Sequence, residues 1–268
     1  MIDHGRRSVL GVLVDAVDYD TATARILDAA RERSALAVTA LAVHGVMTGV
    51  LDPPHNARLN AFDLVTPDGQ PVRWGLNWLY GVALADRVYG PTLALRVLQR
   101  CADEGLPVYL YGSTEDTLGK LVPALERMFP ALKLAGVATS KFRTARPGEA
   151  TEIADRIRAS GARLVLAGLG CPRQEVFTYA MRPHLEMPLL AVGAAFDYHA
   201  GTLRKPPSWM QRRGLEWAWR LGLEPRRLWR RYVVLNPKYA ARLALQKTRL
   251  WPARPPAPAT EPLATFPV

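Results

Sequence analysis

Residues 91–114, PTLALRVLQRCADEGLPVYLYGST, decide the architecture. Pro91 stands where a first helical turn tolerates it, apolar residues recur at helical spacing up to Glu104, and Gly105 follows at the position where helices end. The apolar run 107–111 is of strand length and opens into Gly112-Ser113-Thr114 and a further helical pattern. Such alternation is the mark of an α/β unit with a mostly parallel sheet. Toward the N-terminus, 9–14 reads as a strand, 22–33 as an amphipathic helix, 36–39 as a second strand and 63–65 as a third. A turn at Pro67-Asp68-Gly69 then leads into a Trp-containing helix near 71–79. Toward the C-terminus come a strand near 132–137, a helix over 148–160, and a strand at 163–167. The turn Gly168-Leu169-Gly170, a helix from Pro172 and a last strand at 189–192 follow. From Pro206 to about Leu250 the texture changes to two or three helices rich in Arg and Trp. The stretch 252–268 carries six prolines in 17 residues, a composition expected to stay disordered. The expected division is an α/β core over 1–200, a basic helical appendage over 201–251 and a Pro-rich tail over 252–268.

Of the 268 residues, 49% are hydrophobic and 22% charged, which argues against wholesale disorder and against a coiled coil. Two cysteines, Cys101 and Cys171, make neither a disulfide framework nor a cysteine-rich zinc site, and a reducing, cytoplasmic setting is expected. No apolar segment with a cleavage site follows the basic start, so secretion is not expected. The greasiest stretch, 35–51, is interrupted by Thr39, His44, Gly45, Thr48 and Gly49. It falls short of the roughly 18 apolar residues of a spanning helix and reads as a buried strand and a helix.

The net charge of +11 is localised. Acidic and basic residues balance over 1–200, whereas 201–251 holds thirteen Lys and Arg against Glu216 and Glu224, together with five of the seven tryptophans. Three readings fit: a solvated face, a nucleic-acid patch, or a membrane-surface helix. Arg226 and Arg230 are four apart, as are Arg227 and Arg231, so each pair stacks on one helical side, with Leu228, Tyr232 and Leu235 on another.

Two strand-to-helix turns have the small residues that let backbone N–H groups face an anion, one at Gly112-Ser113 and one at 168–172. Neither is a Walker loop or a full G-x-G-x-x-G, and tight connections use the same residues. Asp68 and Asp197 each follow an apolar strand, where open α/β folds put reactive groups. His44 and His199 are the nearest histidines, but no spacing resembles a metal site and no D-x-D triplet occurs, so no metal is expected.

Five segments in order, Leu64-Val65-Thr66-Pro67-Asp68-Gly69, Asp86-Arg87-Val88-Tyr89-Gly90-Pro91, Gly170-Cys171-Pro172-Arg173-Gln174-Glu175, Gly193-Ala194-Ala195-Phe196-Asp197 and Gly214-Leu215-Glu216-Trp217-Ala218-Trp219-Arg220-Leu221, resemble the motifs of the WecG/TagA/CpsF glycosyltransferases. The segments Glu224-Pro225-Arg226-Arg227-Leu228 and Arg230-Arg231-Tyr232 match as well, so the resemblance spans about 36–239. It implies a Rossmann-like core completed by the appendage at the cytoplasmic membrane face. The implied reaction is inverting transfer of a hexose, N-acetylmannosamine or a related sugar, from a UDP-sugar to a polyprenyl-diphosphate-linked sugar in cell-surface polysaccharide synthesis. No cofactor is implied, the protein sits peripherally on an anionic membrane, and the oligomeric state stays open.

By motif, Asp68 is the expected general base and Arg87 the core cation for the leaving diphosphate, with one or more of Arg226, Arg227, Arg230 and Arg231 closing from the appendage. Thr39 and Gln174 are expected to line the donor pocket, Ser113 and Gly112 to meet the donor, and Asp197 to contact the nucleotide. Relatives often read Thr-x-Asn where this chain has Thr39-Ala40-Leu41, so either His44 substitutes or the sugar differs. The competing reading is a non-enzymatic nucleic-acid-binding protein using the basic segment, which leaves the ordered motifs upstream without a purpose.

Overall fold

Runs such as Leu36-Ala37-Val38-Thr39-Ala40-Leu41 and Leu164-Val165-Leu166-Ala167-Gly168 are apolar at successive positions, and a strand buries such a run only when both faces of its sheet are covered. The structure is a computed structural model describing residues 1–251, 254–263 and 265–268. Its N-terminal strands β1 (Asp3–Val9) and β2 (Val12–Val17) form an antiparallel pair. Strands β3 (Leu36–Leu41), β4 (Leu64–Pro67), β5 (Val108–Gly112), β6 (Leu134–Ala138), β7 (Leu164–Gly168) and β8 (Pro188–Ala191) form a parallel sheet in the order β4-β3-β8-β7-β5-β6. Helices α1 (Tyr19–Glu32), α5 (Gly90–Glu104), α6 (Glu115–Met128) and α9 (Ala195–Ala200) bury one face. Helices α2 (Val43–Leu51), α3 (Pro53–Asn60), α4 (Gln70–Tyr80), α7 (Glu149–Ala159) and α8 (Arg173–Met181) bury the other. The expected α/β fold with a mostly parallel sheet and a helical C-terminal part is the observed one.

The single strand expected over 9–14 is instead the end of one strand, a turn and the start of the next. Leu10 and Gly11 both take positive φ (56° and 90°), the geometry of a tight hairpin turn, and the pair lies outside the parallel sheet. Side chains join it to β4 and to α3: the buried Asp15 carboxylate accepts from Val65 N at 2.7 Å, and Leu13 N donates to Asn60 Oδ1 of α3 at 2.8 Å.

The C-terminal region forms α10 (Ser208–Arg212), α11 (Glu216–Leu223), α12 (Pro225–Trp229), a π-turn over Arg230–Val234 and α13 (Leu235–Lys247). Helix α13 packs on the core: Tyr239 and Leu243 are buried with Val46, Met47, Val72 and Leu76, and Gln246 holds the hairpin by donating to Ser8 O and accepting from Leu10 N, both at 2.8 Å.

The expectation of a disordered tail fails for its described residues. Ala259 N donates to Ala57 O at 2.8 Å, Tyr179 Oη donates to Glu261 O at 2.8 Å, and Phe266 and Val268 are buried against Phe177 and its neighbours. Val268 N then donates to Arg143 O at 2.9 Å. Prolines suit such a strap, because an extended segment bonded mainly to other elements needs few donors of its own.

Candidate active site

Parallel strands all end on one side of the sheet, and the turns after β3, β4, β5, β7 and β8 meet there around a cleft of about 530 Å³. Helix α11 and the π-turn close it from the C-terminal region.

Asp68 is the first residue after β4. Its backbone N–H donates to Leu41 O at 3.1 Å, and Val88 N donates to Pro67 O at 3.0 Å, so two neighbouring segments fix the turn. Gly90, at the N-terminus of α5, donates to Asp68 Oδ1 at 2.6 Å. A Cβ on Gly90 would lie 3.2 Å from Ala40 Cβ and 3.4 Å from that carboxylate oxygen, so glycine is what lets the positive end of α5 reach the carboxylate. Burial pushes the Asp68 pKa up to about 6, against the pull of Arg87 and the Gly90 N–H. A carboxylate tuned to that range accepts a proton near neutrality and remains basic enough to be useful.

Arg87 is buried on the loop before α5. It stacks 4.3 Å over the Tyr89 ring and hydrogen-bonds to Glu216 of α11, joining core and C-terminal region at the cleft. Burial opposes its charge, yet Glu216 and Asp68 hold its pKa above the ordinary guanidinium value.

Of the four arginines picked from the sequence, Arg227 and Arg231 line the cleft. Arg226 and Arg230 are exposed outside it, Arg230 lying over Trp229 at 5.5 Å. Arg220 joins the inner set. Arg220 stands on α11, and Arg227 and Arg231 on α12 and the π-turn, so the inner set is assembled from separate elements and its members are not marked by spacing in the sequence. Burial pulls the Arg231 pKa below its ordinary value, so this cation has lost hydration that an incoming anion would replace. The apolar side expected of Leu228, Tyr232 and Leu235 is divided. Leu228 is buried in protein, Leu235 lines an adjoining groove, and Tyr232 faces the cleft with its ring 6.1 Å from that of Trp217.

Ser113, Gln174, Asp197 and His44 line the cleft; Thr39 and Gly112 do not. Thr39 lies fully buried behind the wall, donating to Glu175 Oε1 at 3.0 Å. Gly112 packs on backbone, since a Cβ there would meet Gly168 at 2.9 Å, and it sets Ser113 in the left-handed region (φ 60°) at the rim. Burial, with Arg231 nearby, holds His44 at about 4 and therefore neutral at pH 7. Burial raises Asp197, against Arg220. His199 is structural: its Nε2 lies 3.0 Å from Pro91 O. Among the described residues no three His, Cys, Asp or Glu side chains gather as a metal-ligand group.

His44, Arg227 and Arg231 are shared with a second, mainly apolar groove of about 710 Å³, which also takes in Leu228, Trp229, Val234 and, at its edge, Arg230. A charged cleft therefore continues directly into an apolar channel. Sequence reasoning missed Glu216, Arg220, Tyr89 and Glu175. All four stand inside the quoted motifs, but their roles come from pairings across more than a hundred residues or from facing elements. Among the described residues no helix is long and apolar enough to cross a membrane.

The model of the glycosyl transferase WecG/TagA/CpsF family matches residues 7–253, extending beyond the segment that the motifs mark. Over 190 residues the chain is 33% identical to an N-acetylglucosaminyldiphosphoundecaprenol N-acetyl-beta-D-mannosaminyltransferase of Bacillus spizizenii, the alignment covering 70% of each chain.

Proposed function

The chain belongs to the WecG/TagA/CpsF glycosyltransferase family, and from that premise we propose that it transfers N-acetylmannosamine or a related hexose from a UDP-sugar to a sugar carried on a polyprenyl diphosphate, with inversion. The observation that carries the reading is Asp68, held at about 6 at the N-terminus of α5 in a cleft whose other wall presents Arg220, Arg227 and Arg231.

In this mechanism the acceptor hydroxyl attacks the anomeric carbon while Asp68 takes its proton, and the bond from that carbon to the β-phosphate oxygen breaks on the opposite side. Single displacement inverts the centre. UDP leaves with the bonding electrons, and the inner arginines meet the charge that develops on it. Arg87 contributes once its bond to Glu216 is exchanged for a phosphate oxygen. The proton on Asp68 passes to solvent before the next turnover.

An acceptor with a sugar and diphosphate at one end and a prenyl chain at the other matches a cationic cleft that continues into an apolar groove. Exposed Trp209, Trp229 and Val233, with the outward Arg226 and Arg230, support peripheral attachment to the anionic cytoplasmic face of a membrane. The nucleic-acid reading is disfavoured: three of the arginines it would need point into the cleft, and the family match spans the core it leaves unused.

The test is release of UDP, with product identified by mass spectrometry, from a panel of UDP-sugars and a polyprenyl-diphosphate-linked N-acetylglucosamine. Asp68→Asn should retain UDP binding and lose about 100- to 10,000-fold in turnover. No transfer from any donor in the panel, or near-normal turnover by Asp68→Asn, overturns the reading.

A further inference from the structure

Gln174 stands at the second position of α8, 4% exposed, in the cleft wall. The two ends of its amide have different surroundings. Nε2 donates to Oε1 of the adjacent Glu175 at 2.9 Å, whereas its own Oε1 is buried and has no protein partner. That oxygen lies beside Gly193, where a Cβ would stand 3.1 Å from it, so the absence of a side chain at 193 leaves it room.

Glu175 dictates this orientation. Its Oε1 accepts twice, from Gln174 Nε2 and from Thr39 Oγ1 at 3.0 Å, and both groups are buried. Burial raises the Glu175 pKa, and the hydrogen bonds that its carboxyl takes from Gln174, Thr39 and Cys171 pull the other way, favouring the acceptor-only carboxylate. Turning the amide over would set two acceptor oxygens face to face at 2.9 Å with no proton between them. Thr39 spends its hydroxyl proton on the same carboxyl oxygen and braces it from β3.

We propose that Glu175 is a positioning residue that locks Gln174 with its amide oxygen toward the cleft, so that this subsite selects a hydrogen-bond donor, a hydroxyl or N–H of the sugar nucleotide, and turns away phosphate oxygens. The proposal rests on the sugar-nucleotide reading above and adds a polarity to it. The diphosphate is left to the arginine wall, and the ligand group against α8 must bring its own proton. A buried acceptor left unpaired costs about 10- to 100-fold in binding, enough to separate donors that differ by one hydrogen.

The experiment uses the full-length protein and two kinds of readout. In the first, kcat and KM are measured with UDP-N-acetylmannosamine, its N3-methyluridine analogue and single deoxy-sugar analogues, in the wild type, Glu175→Met and Glu175→Gln. In the wild type one analogue should lose about 10- to 100-fold in kcat/KM at this subsite. Glu175→Met should raise the donor KM and erase that one penalty while leaving the others unchanged. Glu175→Gln, which keeps an acceptor oxygen in place, should restore it. Uniform loss across all donors in Glu175→Met, or failure of Glu175→Gln to restore discrimination, would make Glu175 a packing residue only and overturn the proposal.

The second readout needs no turnover and no folded variant of Glu175. The side-chain NH₂ of Gln174 in the ¹⁵N-labelled wild type, assigned through Gln174→Leu, should exchange slowly with solvent and keep its shift when UDP binds. Fast exchange would overturn the lock. If no sugar nucleotide is turned over at all, the functional reading fails, while the exchange measurement still decides the amide orientation.

Discussion

If Asp68 is the base, the acid limb of kcat/KM belongs to it, and two neighbours should move that limb in opposite directions. With a pKa of about 6, about nine-tenths of the enzyme is protonated at pH 5 and about one-thirtieth at pH 7.5, so activity should fall roughly tenfold over that interval. The sign follows from the role: the raised pKa means the active carboxylate is lost as pH falls through about 6, and the rate is full above it. Glu216 pushes this pKa up and Arg87 pulls it down, and in the resting structure the two are bonded to each other. Glu216→Gln removes a negative charge and frees Arg87 to act on Asp68, and both changes lower the pKa.

Removing one charged neighbour of a buried carboxylate is worth about 1 kcal/mol, so a shift of roughly 0.5 to 1 unit is expected. Normalised to its own plateau, Glu216→Gln should then be about 2.5- to 5-fold more active than the wild type at pH 5. Arg87→Gln should move the limb upward. The assay is UDP release at subsaturating donor between pH 4.8 and 8.5, where kcat/KM reports the free enzyme. A limb that both substitutions leave in place, or move the same way, refutes Asp68 as its source, as does a limb that survives in Asp68→Asn.

Arg227→Ala with Arg231→Ala should cripple kcat/KM even on a short, water-soluble acceptor. Arg226→Ala with Arg230→Ala should spare that reaction but weaken binding to anionic vesicles by about 30-fold, at roughly 1 kcal/mol per charge. Sedimentation with vesicles and steady-state kinetics on the same preparations separate the two pairs. Turnover should be unchanged in excess EDTA, and loss that Mg²⁺ or Mn²⁺ restores would overturn the expectation that no metal is needed. Phe266→Ala, which opens a hole beside Phe177, should cost about 3 to 4 kcal/mol in urea unfolding; an unchanged midpoint would mean that the strap adds nothing to the core.

What was legible in the sequence follows from how local each determinant is. Asp68, Ser113, Gln174 and Asp197 all stand just past an apolar strand, and in a parallel sheet that position alone brings them to one cleft. The hairpin was hidden because Leu10 occupies a left-handed position that usually takes Gly or Asn, leaving Gly11 alone to mark the turn. The tail misled because proline content reports on local chain preference, while its order comes from Phe266 and Val268 filling a pocket made by β5, β7 and α8. Strand ends, caps and periodic faces are written within a few residues of where they act. The Arg87–Glu216 pair spans 129 positions and the Thr39–Glu175 bond 136, so neither is visible until the sheet has set its neighbours side by side. The first pair adjusts an Asp68 pKa that burial sets, and the second holds the carboxyl to which Gln174 donates. The order of strands thus makes the location of the cleft readable from sequence, whereas its electrostatics depend on contacts that the fold creates, and substitutions at Glu216 and Glu175 probe that second layer without touching Asp68.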